Sequence, residues 1–101
     1  MKLYLAGPMT GIEGHNFPAF FQAARELQAA GHTAINTADF GKGDADWSEY
    51  MKRDIPLMMS CQGVATLDGW TNSKGAQLEV HIAKELGMRV DTVSYWVRAV
   101  A

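Results

Sequence analysis

Glu79 stands four residues beyond Gly75 in the segment Ser73-Lys-Gly-Ala-Gln-Leu-Glu79. On a helix that spacing stacks the two positions on one face, so the carboxylate comes close to the helix start. A glycine in the first turn lets a ligand approach the backbone, and a helix amino terminus favours an anion such as phosphate. The combination suits a small polar ligand held against a carboxylate. Glu79 also reads as an ordinary helix former on a solvated face, since Glu in a second turn needs no special explanation. Asp54 has the same bland reading, as a solvated helix residue paired with Arg53 or Lys52. Tyr4 alternates with apolar neighbours, the pattern of a half-buried strand residue whose hydroxyl is bonded at the rim.

Other reactive-looking residues exclude chemistries rather than suggest them. His15, His32 and His81 share no ligand spacing and have no carboxylate cluster beside them, so neither a metal nor another cofactor is expected. The stretch Gly7 to Gly11 lacks the lysine and hydroxyl pair of a nucleoside-triphosphate loop. Cys61, the only cysteine, cannot form an internal disulfide and reads as a small buried hydrophobe. Trp47 and Trp70 could offer a base a stacking surface or simply pack. Lys74 reads as a solubilising loop residue with a secondary pull on phosphate.

These groups need elements to hold them, and the periodicity supplies candidates. Leu3 to Ala6 is a short apolar run ending at Gly7-Pro8, the pattern of a buried strand entering a loop. Asn16 can cap a helix with Pro18 in its first turn and Phe20, Ala24 and Leu27 on one face, stopped by Gly31. Thr33 to Asn36 reads as a second strand and Thr37 to Asp46 as a loop. Helical spacing runs from Trp47 to Ser60 through Tyr50, Met51, Ile55, Met58 and Met59, with Pro56 expected to kink or restart it. Gly63 to Leu67 reads as a third strand and Asp68 to Asn72 as its exit loop. A helix from about Ser73 is expected to bury Leu78, Ile82 and Leu86 and to end at Gly87. Met88 to Val93 makes a last strand, and Tyr95 to Ala101 a tail.

A chain of 101 residues, 48% hydrophobic and 20% charged, has room for one core. Residues 1–101 are therefore read as a single domain. Strands alternating with helices across short connections predict an α/β three-layer sandwich, with a small flavodoxin-like parallel sheet of about four to five strands. In such open sheets ligands bind beyond the carboxyl ends of the strands, where strand order reverses. That directs attention to three loops, Gly7 to Asn16, Thr37 to Trp47 and Asp68 to Ser73. The net charge of -2, with both signs interspersed, gives no footprint for polymeric nucleic acid. No apolar run approaches membrane-spanning length, so no membrane partner is expected and the cytoplasm is the expected compartment.

Three segments together carry a resemblance: Tyr4-Leu-Ala-Gly-Pro-Met-Thr-Gly11, Arg53-Asp54, and Gly69-Trp-Thr-Asn-Ser-Lys-Gly-Ala-Gln-Leu-Glu79. In order and spacing they resemble the nucleoside 2-deoxyribosyltransferase-like superfamily from Met1 to about Val93. The pattern is most like small phage and prophage members, and it is similar to the 2'-deoxynucleoside 5'-monophosphate N-glycosidases. The resemblance implies Glu79 as the nucleophile that attacks the anomeric carbon, because a carboxylate stabilises an oxocarbenium-like state and then traps it. It further implies Asp54 as the proton-handling residue and Tyr4 as the group orienting nucleophile or sugar. Ser73 stands where the monophosphate hydrolases carry Ser and the transferases carry Asp, which implies a 5'-monophosphate ligand. Gly7, Met9 and Gly11 would line the sugar or phosphate side.

Two local differences from that pattern are Cys61-Gln62-Gly63, where an Asp commonly precedes the third strand, and one extra residue between Asp54 and Glu79. They keep a non-catalytic pocket that binds or sequesters a nucleotide as the alternative. A third reading is an interaction module using the Ser94-Tyr95-Trp96 neighbourhood and the methionines Met58 and Met59. A chain this small gains by burying surplus apolar surface in a copy of itself, and the resembled family often completes its pockets across subunits. A homo-oligomer, a dimer above all, is therefore expected.

Overall fold

Residues Lys2–Ala6 form the first strand, β1, and its two-residue alternation sorts side chains between two cores. Leu3 and Leu5 face one core while Tyr4 and Ala6 face the other. The computed structural model describes residues 1–41, 43 and 45–99. After β1 come α1 (Phe17–Ala29), β2 (Thr33–Ile35), α2 (Trp47–Met59), β3 (Gly63–Thr66), α3 (Lys74–Glu85), β4 (Arg89–Thr92) and α4 (Val93–Arg98). The four strands are parallel in the order β2-β1-β3-β4, with Tyr4 in register with Ile35 on one side and Val64 on the other. The chain moves outward from β1 to β2, then crosses back over β1 to reach β3, so strand order reverses between β1 and β3. This is the α/β sandwich with a flavodoxin-like sheet that the sequence predicts.

Helices α1 and α4 cover the face of Leu3 and Leu5, where Phe20, Ala23, Ala24, Leu27 and Trp96 are buried. Helices α2 and α3 cover the face of Tyr4 and Ala6, with Met58, Cys61, Val64, Ala76 and Ala83. The expected stripe Phe20, Ala24 and Leu27 is therefore inward, and Cys61 is buried as a small hydrophobe whose thiol pKa burial pushes up.

Several expectations need correction. The stripe Leu78, Ile82 and Leu86 is not the buried side of α3: Ala76, Glu79, Val80 and Ala83 are buried, whereas Leu86 is 58% exposed. Small side chains bring the helix close to the sheet, and the larger ones flank the contact. Pro56 does not divide α2, which runs unbroken. The ring lies on the exposed side in the second half of the helix. Asn16 does not cap α1 with its side chain; it sits at φ 60° and donates from Nδ2 to the Pro8 carbonyl at 2.9 Å, tying the β1 exit loop to the helix start.

The stretch from Thr37 opens with a 3-10 turn, Thr37–Phe40, capped by Asn36 Oδ1 accepting from the Ala38 amide at 3.0 Å. Another such turn, Trp70–Asn72, follows β3. The tail read at Tyr95 to Ala101 is α4 as far as Arg98, capped by Thr92 Oγ1, which accepts from the Tyr95 amide at 3.1 Å. Val100 and Ala101 lie outside the described residues. Trp96 anchors α4 by donating from Nε1 to the Val64 carbonyl at 2.9 Å, its ring against Gly63, where a Cβ would come within 2.9 Å. With Trp96 and Met58 buried, the proposed interaction surface loses both; Met59 alone of its two methionines is exposed. Among the described residues no helix is long and apolar enough to cross a membrane.

Candidate functional site

A cavity of about 720 Å³ opens where β1 ends, between the loop after β1, the Thr37–Phe40 turn and the first turns of α2 and α3. This is the size class of small-molecule sites, and it lies at the carboxyl ends of the strands. Helix α2 contributes Trp47, Tyr50, Met51 and Asp54, which recur every third or fourth residue and so share one face. Helix α3 contributes Ser73, Lys74, Gly75, Ala76 and Glu79.

Glu79 and Tyr4 meet because both point into the same layer, Tyr4 from the centre of the sheet and Glu79 from the buried side of α3. The Tyr4 hydroxyl donates a hydrogen bond to Glu79 Oε2. Glu79 is only 6% exposed, and burial pushes its pKa from 4.5 up to about 7; the charge of Asp54 adds to that rise, and the Tyr4 hydrogen bond opposes it. Tyr4 is raised well above its ordinary value, first by burial and then by the charge of Glu79. A carboxyl that changes protonation near neutrality, in the wall of a cavity, is suited to acid, base or nucleophilic work.

Asp54, 8% exposed, has a different partner: Arg53 Nε donates to its Oδ1 at 2.6 Å. The Arg53 guanidinium also lies over the rings of Phe40, at 4.6 Å, and Tyr50, at 5.2 Å. Its own pKa is raised, mainly by the hydrogen bond to Asp54. Across the opening the ammonium of Lys74, an exposed residue, sits 4.0 Å over the Trp47 ring at the cavity wall.

The structure thus brings Glu79, Asp54, Tyr4, Gly7, Met9, Trp47, Ser73 and Gly75 to one cavity. Gly11 and Trp70 are outside its lining: Gly11 is exposed at φ 79°, and Trp70 packs half-buried against the core cluster of Tyr4, Val64 and Ala76. Two glycines serve packing as well as access. A Cβ on Gly7 would stand 2.8 Å from Leu67 Cβ, and one on Gly75 would stand 3.3 Å from Met51 Sδ and 3.5 Å from Trp47 Nε1. Gly75 therefore lets the first turns of α2 and α3 close on each other. Ser73 is the N-cap of α3, its Oγ accepting from the Ala76 amide at 3.2 Å, which leaves the hydroxyl proton to donate elsewhere.

Sequence reasoning underrated Arg53, placed only as a surface partner of Asp54, and did not assign Tyr50, Met51, Thr37 or His15 to the wall. The repeat Trp47, Tyr50, Met51, Asp54 was the available signal for two of these. An acid continuing an aromatic stripe at helical spacing marks a face that is buried yet polar. Among the described residues no three His, Cys, Asp or Glu side chains come together as metal ligands.

Comparison with curated proteins gives no match. The family described as Domain of unknown function (DUF4406) matches residues 1–92, nearly the whole chain, and carries both halves of the cavity, from the Tyr4 strand to the Glu79 helix. The chain belongs to the DUF4406 family.

Proposed function

We propose that the protein is an N-glycosidase or deoxyribosyl transferase acting on a nucleoside or nucleoside 5'-monophosphate, as its resemblance to the nucleoside 2-deoxyribosyltransferase-like superfamily implies. The observation that carries this reading is Glu79: a buried carboxyl bonded to a phenol rather than a cation, in the wall of a cavity of about 720 Å³. With Oε2 held by Tyr4, Oε1 is the oxygen left to attack.

In the proposed reaction Glu79 bonds to the anomeric carbon as the glycosidic C–N bond breaks. The bonding electrons go to the base nitrogen, and the base takes up a proton as it leaves. Water, or a second base, then attacks the same carbon, loses a proton and frees Glu79. Asp54 is assigned the proton transfers, Tyr4 the orientation of Glu79, and Ser73 with the start of α3 the 5' side of the sugar. Trp47 offers its ring to the base. The desolvation that raises Glu79 also sets a pH requirement: the nucleophile must be ionised, so turnover should rise with pH through an acid limb near 7.

The test is chromatographic detection of free base after incubation with common nucleosides and their 5'-monophosphates, wild type against Glu79→Gln. Wild type should release base, with Glu79→Gln slower by about a thousandfold or more. Equal release by both would overturn the assignment of Glu79, and none by either would overturn the activity. A binding-only pocket is the second reading, favoured by the commitment of Asp54 Oδ1 to Arg53. It predicts saturable nucleotide binding without release.

A further inference from the structure

Two carboxyl groups share the cavity wall, and their partners differ in kind. Asp54 has a cation at 2.6 Å, while Glu79 has a neutral phenol and, among the described residues, no ion pair. Both are buried, and the charge of Asp54 works against a charge on Glu79. Something must settle which of them carries its charge through an ion pair and which stays open to a ligand.

We infer that Arg53 is the positioning residue that makes this choice: bound through Nε to Asp54 Oδ1 and over the rings of Phe40 and Tyr50, it pairs the Asp54 charge, leaving Oδ2 for proton transfer, and keeps Glu79 as the carboxylate without a cation, open to a ligand. Several features support that role. The guanidinium, partly exposed, is contacted from two elements, by Phe40 in the turn after β2 and by Tyr50 one turn earlier on its own helix, which orients its fork toward Asp54. A lysine could not bond through Nε and lie over two rings at once. The influence of Arg53 also reaches the other pair, since its charge favours the ionised form of Tyr4. The groups facing Glu79 are Tyr4 from β1 and Asp54 from α2; Arg53 acts through Asp54 and Tyr4, and along the same cavity lie Lys74 over Trp47 and His15 at the rim. Of the cations among these, only Arg53 makes an ion pair with a cavity carboxylate among the described residues.

The inference deepens the glycosidase reading and rests on it for the role of Glu79 as nucleophile, but its test needs no substrate. Carbon-13 NMR of labelled side-chain carboxyls would follow the titration of Glu79 in wild type, Arg53→Gln and Arg53→Gln/Asp54→Asn, with circular dichroism to show that each is folded. Removing the cation leaves the Asp54 charge uncompensated, so the Glu79 midpoint should rise by about one pH unit in Arg53→Gln. Removing Asp54 as well should bring it back to the wild-type value or below. Arg53→Met, which keeps the stem packed on the rings, replaces the Gln variant if that chain does not fold.

An unmoved midpoint in the single variant overturns the inference, as does a rise that the second substitution fails to reverse, because a purely structural role would produce either. Base release measured on the same proteins separates the two claims. The NMR result with no release from any nucleotide would overturn the glycosidase activity and leave the Arg53 assignment standing. Release that depends on Glu79, with no shift in Arg53→Gln, would do the opposite.

Discussion

The two faces of one sheet are built on opposite principles. On the α1/α4 face Leu3 and Leu5 meet Phe20, Leu27 and Trp96, and the Trp96 indole, the polar group among these side chains, is satisfied by the Val64 carbonyl. On the α2/α3 face the same strand presents Tyr4, and the buried set includes Asp54 and Glu79. One face removes apolar surface from water and gains stability. The other buries two acids, and the desolvation of Glu79, read in its raised pKa, is a cost the fold bears for having the group there. Neighbouring residues of β1 thus belong to different trades, since a strand sends consecutive side chains to opposite sides.

The sharpest way to break this contrast is to open the apolar face. Leu27→Ala should cost about 2–5 kcal/mol of stability by chemical denaturation, through lost burial and a residual cavity, while the Glu79 titration stays at about 7. A shifted titration would show that the two layers are not independent.

Next in size is a gain on the polar face. Glu79 has a folded pKa near 7 against an ordinary 4.5, so between those values the folded state holds more of the proton than the unfolded chain does. Stability from this group therefore falls as pH rises from about 4.5 through about 7 and is level above. Glu79→Gln, which can still accept from Tyr4, removes that loss and should be more stable than wild type at pH ~8 by up to about 3 kcal/mol, the difference shrinking toward pH ~5. Thermal unfolding at the two pH values checks it; a variant less stable at both would mean the carboxyl is a net structural asset.

The smallest expected effect concerns the bond between the strand and the helix. Tyr4→Phe deletes a hydrogen bond that favours the Glu79 carboxylate, so the acid limb of any base release should move to higher pH, with activity at neutral pH reduced about tenfold. An unchanged pH profile would reduce Tyr4 to a filler of the core.

Much of this was legible from the order of residues. The strands, the helix starts at Trp47 and near Ser73 and the stop at Gly87 follow from apolar runs, caps and glycines, which act locally. Glu79 was placed on the right helix, but its burial was misjudged. Leu78, Ile82 and Leu86 are larger and more apolar than Ala76, Glu79, Val80 and Ala83, and a count of hydrophobicity prefers them. What decides is distance: alanines admit the helix close to the sheet, and a carboxyl with a phenol waiting opposite can share that face. The pairing of Asp54 with Arg53 was legible, but the contact of that guanidinium with Phe40 was not, since Phe40 joins it only after the turn following β2 folds onto α2. The helix at Val93–Arg98 was missed because its chief support, the Trp96 bond to β3, is tertiary.

The position of β1 between β2 and β3 governs how the molecule comes into being. Its partners on one side arrive within the first helical crossover, but those on the other side include Gln62, sixty residues away, and the phenol of Tyr4 waits for a residue 75 positions on. Contacts that distant are slow to form because loop closure must be met before they reward it. A chain emerging from the ribosome can close β1 against β2 under α1 early, yet it carries an open strand edge and half a pocket until α3 has followed. The α1 half of the apolar face is within reach early, the cavity waits for α3, and the apolar face is itself completed only when α4 brings Trp96 onto the sheet.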